Sequence, residues 1–249
     1  MYCDALRYLT LSGVRWEINE KPNTPTHDES VAVNAATGQR VATIVPPIAP
    51  IQTVSPTTAT AMALRPTDID SLCRMIDEFN HPLRRSATHV VLPHIAPTPN
   101  GVLVLTDMPS TDDDASGKIL SGTAGEMVDK MLNAIEMSRD SVSIVPILFW
   151  RTPGGRTPTH EEIALSRPFV DRLIDMIKPK LILSLGTLPT TEFGNVHLSK
   201  NHGVPIDIAC GAKMIPIYHP NYLVLKPSAK RDVWSALQNV QNLLKTVQK

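Results

Sequence analysis

Cysteine is scarce: the chain of 249 residues has three, Cys3, Cys73 and Cys210, far apart and in no C-x-x-C spacing. That excludes a disulfide framework and a zinc-finger type of site, and it fits a reduced, cytoplasmic setting. Net charge is also lacking, with 24 Lys and Arg against 24 Asp and Glu, which excludes a protein held on polyanions by bulk electrostatics alone. No apolar run reaches the ~18 residues that a membrane span needs, and no basic segment leads into an apolar one at the N-terminus. No membrane association is therefore expected. There is no internal repeat and no Gly-Lys-Ser/Thr of a phosphate-binding P-loop.

What is present is enough apolar material, 42% of residues, to bury a substantial core, and the length fits one α/β domain with an appendage. Residues 1–22 read as an N-terminal helix and extension, with apolar spacing in YCDALRYLTLS and a stop at Gly13. Residues 23–65, rich in Pro, Thr, Ala and Val, read as linker. The main domain is then 66–249, opened by a helix in TDIDSLCRMIDEF that Thr67 caps, with Asp70 in the place of a capping-box acid. Charge is uneven along the chain: from Asn195 to Lys249 seven Lys and Arg face only Asp207 and Asp232, a surplus of five. The basic end is the candidate polyanion-facing end.

Four apolar runs, GVLVLT, VSIVPILFW, KLILSLG and KMIPIY, alternate with amphipathic helical stretches such as GTAGEMVDKMLNAIEM and the run from Thr159 to Ile177. This pattern predicts a three-layer α/β/α sandwich around a central, mostly parallel four-stranded sheet. Right-handed crossovers place the strand ends and the loops after them along one edge, where chemistry is to be sought. Asp107, one residue beyond the first strand, could orient a water and stabilise a cationic transition state; the Asp run behind it equally suits a capped turn or a solvated face. Arg151 and Arg156 flank a Gly-Gly turn that could grip phosphate or simply be an exposed loop. His219, at the end of the last strand, could donate to an oxygen on which charge develops, or be a satisfied structural histidine. Tyr222 and Leu223 could wedge into an unstacked duplex or pack the following helix. The remaining histidines show no metal-ligand spacing, so no metal is expected.

The segments GKILSGTAGEMVDKML, RTPGGRTPTHEEIALSRPFVDRLIDMIKPKLILSLG and YHPNYLVLKPSAKRDVW, in that order and spacing, resemble the uracil-DNA glycosylase superfamily, in the branch whose usual members carry an iron–sulfur cluster. The resemblance covers roughly residues 75 to 245. It implies base excision from a nucleotide flipped out of DNA, with Asp107 in the place of the glutamate of the family's Gly-Glu-Ala-Pro-Gly loop and His219 assisting the departing base. It puts Met108, Pro109, Leu120 and Pro146 at the base pocket, and Arg151, Arg156, Pro220, Asn221, Lys226 and Lys230 at the DNA. Leu120 stands where the family has a ring that stacks on uracil, and Pro146 where it has the Asn that reads the base edge. Thr106 and Ser110 replace the two glycines of the first loop. The cluster cysteines correspond to Glu78, His81, Trp150 and Ser166, none a thiolate, so no cofactor is expected and Trp150 is expected in the core. Two functions follow: a divergent glycosylase of altered specificity, or a catalytically degenerate module that binds DNA or a protein. The expected partner is single- or double-stranded DNA, and the expected state a monomer.

Overall fold

The computed structural model describes residues 54–247; the N-terminal helix expected within 1–22 and the linker up to residue 53 lie outside them. Five strands form one sheet, β1 (Val102–Thr106), β2 (Val142–Pro146), β3 (Leu181–Leu185), β4 (Ile206–Asp207) and β5 (Lys213–Ile217), in the spatial order β2-β1-β3-β5-β4. The four long strands are parallel. The short β4 runs antiparallel to β5 and adds one strand to the four expected. Two residues after a proline offer no apolar run from which to read it.

The long strands are apolar on both faces because both faces are covered. Alternation along β1 sends Val102 and Val104 to one side and Leu103 and Leu105 to the other. On the first side lie α4 (Gly122–Asn133), α8 (Pro220–Leu225) and α9 (Lys230–Val247); on the second lie α1 (Pro56–Ala63), α2 (Ile69–Glu78) and α5 (His160–Ile177). These two cores make the three layers. Each Leu or Ile buried there contributes roughly 1.5–3 kcal/mol.

Two local readings are corrected. Residues 56–63, within the stretch read as linker, form α1, which starts at the N-cap Ser55 with Pro56 as its first residue. Its buried Ala59 and Ala63, one turn apart, pack on α5. The next helix is capped by Asp68 and not Thr67: its carboxylate accepts from Ser71 N–H at 2.8 Å. The 18-residue helix α5 begins with a full capping box in which Thr159 and Glu162 bond each other's backbone N–H.

The carboxyl edge of the sheet gathers the exits of β1, β2, β3 and β5. After β1 the chain does not loop freely but enters α3 (Thr111–Ser116), held by a second capping box between Ser110 and Asp113. After β3 it turns at Gly186 into α6 (Thr187–Gly194), followed by α7 (Leu198–Asn201).

Candidate active site

Thr106 ends β1 and leaves Asp107 at the rim, beside the exit of β3. Gly186 has a left-handed φ of 98°, and a Cβ there would lie 2.8 Å from Asp107 Oδ2, so the approach of the two strand ends requires glycine. The Asp107 carboxyl sits at the start of α6. Burial pushes its pKa up to about 7, against a smaller downward pull from the Leu188 backbone N–H. Its Oδ1 is buried without a hydrogen-bond partner.

His219 is the N-cap of α8. Its Nδ1 accepts the Asn221 backbone N–H at 3.3 Å. The ring proton therefore resides on Nε2, 3.4 Å from the Thr106 hydroxyl. Burial holds its pKa down, at about 4, with Asp113 pulling weakly the other way. At neutral pH the imidazole is thus a neutral Nε2–H donor.

Asp107 and His219, more than a hundred positions apart, line the same two cavities. The smaller, about 430 Å³, also takes in Met108, Pro109, Leu120 and Arg151; the larger, about 730 Å³, runs from Met108 past Thr191 to Tyr218 and Tyr222. Leu120 reaches the smaller cavity from a strained turn (φ 50°) whose carbonyl Arg139 clamps at 2.6 Å. Pro146 does not join them: it is buried at the end of β2, paired with Thr106, and outside both linings.

The Asp run is structural. Asp113 accepts Ser110 N–H, Ser121 N–H and the Ser121 hydroxyl at 2.9, 2.6 and 2.8 Å, and Asp114 accepts Thr88 and His89 N–H at 2.8 and 3.1 Å. Such charge-assisted bonds fix the loop that carries Asp107. The two arginines of the Gly-Gly loop part company. Arg151 faces the smaller cavity, donates to Thr111 Oγ1 at 3.0 Å, and keeps a buried Nε without a partner. Arg156 grips Glu162 with both terminal nitrogens, at 2.9 and 2.5 Å, which holds the Glu162 carboxyl below its usual pKa range. It pins the loop to the start of α5, with its guanidinium engaged by Glu162.

The model of the "Uracil DNA glycosylase superfamily" matches residues 92–239, more than half of the chain. The chain belongs to this superfamily. Among curated superfamily proteins it is 30% identical over 149 residues to the type-4 uracil-DNA glycosylase of Thermotoga maritima, which covers 58% of this chain and 78% of that protein. To the type-4 uracil-DNA glycosylase of Archaeoglobus fulgidus it is 26% identical over 180 residues, 69% of this chain and 87% of that one.

At the positions where the resemblance implies cluster cysteines the structure has a packed contact. His81 and Trp150 are fully buried and stack with centroids 4.5 Å apart and planes 6° from parallel. His81 Nδ1 accepts Leu83 N–H at 3.1 Å, and Nε2 donates to the Glu162 carbonyl at 3.0 Å, so burial keeps the ring neutral. Ser166 is buried with its hydroxyl unpartnered, and Glu78 is exposed. This set offers no thiolate, and its imidazole nitrogens are both engaged; it does not fit an iron–sulfur cluster.

In the His-Pro element Leu223 is core, 1% exposed, whereas Leu225 at the tip of α8 is 85% exposed, with Lys226 and Lys230 exposed behind it. The exposed tip at Leu225 and the contact of Tyr218 with Tyr222 escaped sequence reasoning, which named Tyr222 and Leu223 instead, since helical phase inside a six-residue helix cannot be read without its ends.

Proposed function

We propose that this chain is a divergent DNA glycosylase that hydrolyses the N-glycosidic bond of a base turned out of DNA into the smaller cavity. The observation that carries the reading is the shared cavity wall of Asp107 and His219. Superfamily membership and relatives that are type-4 uracil-DNA glycosylases support DNA as the substrate.

As the bond from C1′ to the base nitrogen breaks, its electron pair leaves with the base and the sugar becomes cationic. His219 Nε2–H donates to the base oxygen that gathers the negative charge. Ionised Asp107 faces the cation and orients a water whose oxygen bonds C1′ and whose proton the carboxylate takes. No step passes through a metal cluster, and the stacked His81–Trp150 pair supports a protein that works without one. Specificity differs from a uracil reader: Leu120 offers apolar contact but no π face, and no side-chain amide stands at Pro146 to pair with the base edge. Arg151, Asn221, Lys226 and Lys230 face the strand, with Leu225 as the apolar wedge that fills the vacated stack; Pro220, expected at the DNA, is instead buried as the first residue of α8.

One observation favours a second reading, a degenerate module that binds DNA without cutting. Pro146 lies outside the cavity lining, so nothing from β2 reads a base there. The two separate on single- and double-stranded oligonucleotides bearing uracil, hypoxanthine or xanthine, incubated with protein and then treated with alkali. Cleavage above that of an Asp107→Ala, His219→Ala double variant is expected for at least one base. None with any of them leaves the module reading.

A further inference from the structure

The larger cavity is not used by the reaction proposed above. It meets the base cavity along the wall of Asp107, Met108 and His219, and its far side is aromatic. Tyr218 stacks on His202 at 4.2 Å, and Tyr222 leans on Tyr218 at 4.9 Å, 41° from parallel, with 38% of its surface open. Lys226 Nζ lies 5.9 Å from the Tyr222 ring centroid, and the exposed Lys200 lies in the last turn of α7 beside the lining residue Ser199. Among the described lining residues the acids are Asp107 and Glu192. An exposed tyrosine backed by a second ring and beside a cation, across a shared wall from the base cavity, is what unpaired bases stack upon. A duplex keeps the neighbouring base in its pair and out of reach.

We propose that this cavity holds the unpaired nucleotide next to the one in the base cavity, with Tyr222 and Tyr218 as its stacking platform, so that the protein prefers single-stranded DNA. This rests on the DNA reading of the site but not on catalysis. The test is fluorescence anisotropy with an undamaged labelled oligonucleotide, alone and as duplex. Wild type should bind the single strand more tightly; Tyr222→Leu should weaken single-strand binding by roughly 5- to 100-fold, and Tyr222→Phe should restore it. Duplex affinity should stay within about twofold, as expected if the platform takes only unpaired bases. Equal losses on both substrates, no loss, or failure of Phe to rescue would overturn the proposal. Photo-crosslinking of wild type to a single strand containing 5-iododeoxycytidine is independent of any variant's folding: adducts at Tyr222 or Tyr218 support the platform, and adducts only elsewhere refute it. If wild type binds neither form of DNA, the DNA reading itself fails. If it binds but never excises, the platform stands alone.

Discussion

Burial sets the two central ionisations in opposite directions. Asp107, pushed up to about 7, favours its neutral form in the fold; His219, held near 4, is neutral over the same range. Excision should therefore rise with pH as one proton leaves Asp107 near pH 7, with no further break from His219 above about pH 4, and a single-turnover pH–rate profile checks both. The stability signs follow by linkage. Asp107 stabilises fully below its unfolded value of 3.8, and that contribution is lost as pH rises toward 7. His219 does the reverse, contributing above 6.5 and losing it as pH falls toward 4. Asp107→Asn should thus slow excision by about 10²–10⁴ yet raise the unfolding free energy above pH 7 by on the order of a few kcal/mol; a variant that is both slower and less stable would argue against the burial account. Position, strand end and chemical type made Asp107 and His219 legible in the sequence. Their ionisation was not, because it depends on burial, and to a lesser degree on the Leu188 N–H beside Asp107 and on Asp113 near His219, which only the fold brings to them.

Among the elements, the contacts around α5 carry the most weight. Arg156, Glu162 and Thr159 lock the Gly-Gly loop to its first turn, and His81 and Trp150 join the segment after α2 to the exit of β2. Trp150→Ala should lower the unfolding free energy by about 3–5 kcal/mol in denaturant melts, and chemical analysis of the purified protein should find no stoichiometric iron or sulfide; bound iron would contradict the stacked core. The long strands and α5 announced themselves by continuous apolar runs and a capping box. Other elements did not. The first, PTTATAMA, buries only two small alanines and carries no apolar stripe, so its composition read as linker. For the Asp run the sequence left a capped turn and a solvated face open, because its further partners, Ser121, Thr88 and His89, are loop backbone and hydroxyl groups that no periodicity reveals; the structure has the capped turn. Arg156 and Glu162 stand only six residues apart, but their pairing depends on the Gly-Gly turn folding the loop back onto α5, which no periodicity encodes.

For the whole molecule, charge and edge geometry converge. The basic C-terminal part supplies Lys226 and Lys230 at the rim where the β5 exit carries His219, so DNA affinity should fall steeply with salt. Removing both lysines should reduce the slope of log affinity against log salt for duplex by about two, whereas Arg156→Ala, already paired to Glu162, should leave the slope unchanged and lower the melting temperature. Anisotropy titrations at several salt concentrations, with thermal melts alongside, distinguish these outcomes. The proposed excision depends on one cleft acting as a unit. Its most direct measurement is a double-mutant cycle: single-turnover excision of the best substrate by wild type, Asp107→Asn, His219→Ala and the double variant. In the proposed reaction the two groups serve one transition state, so each single change should cost about 10²–10⁴ and the pair far less than the product of the two. Losses that multiply, or a His219→Ala protein as fast as wild type, would contradict it.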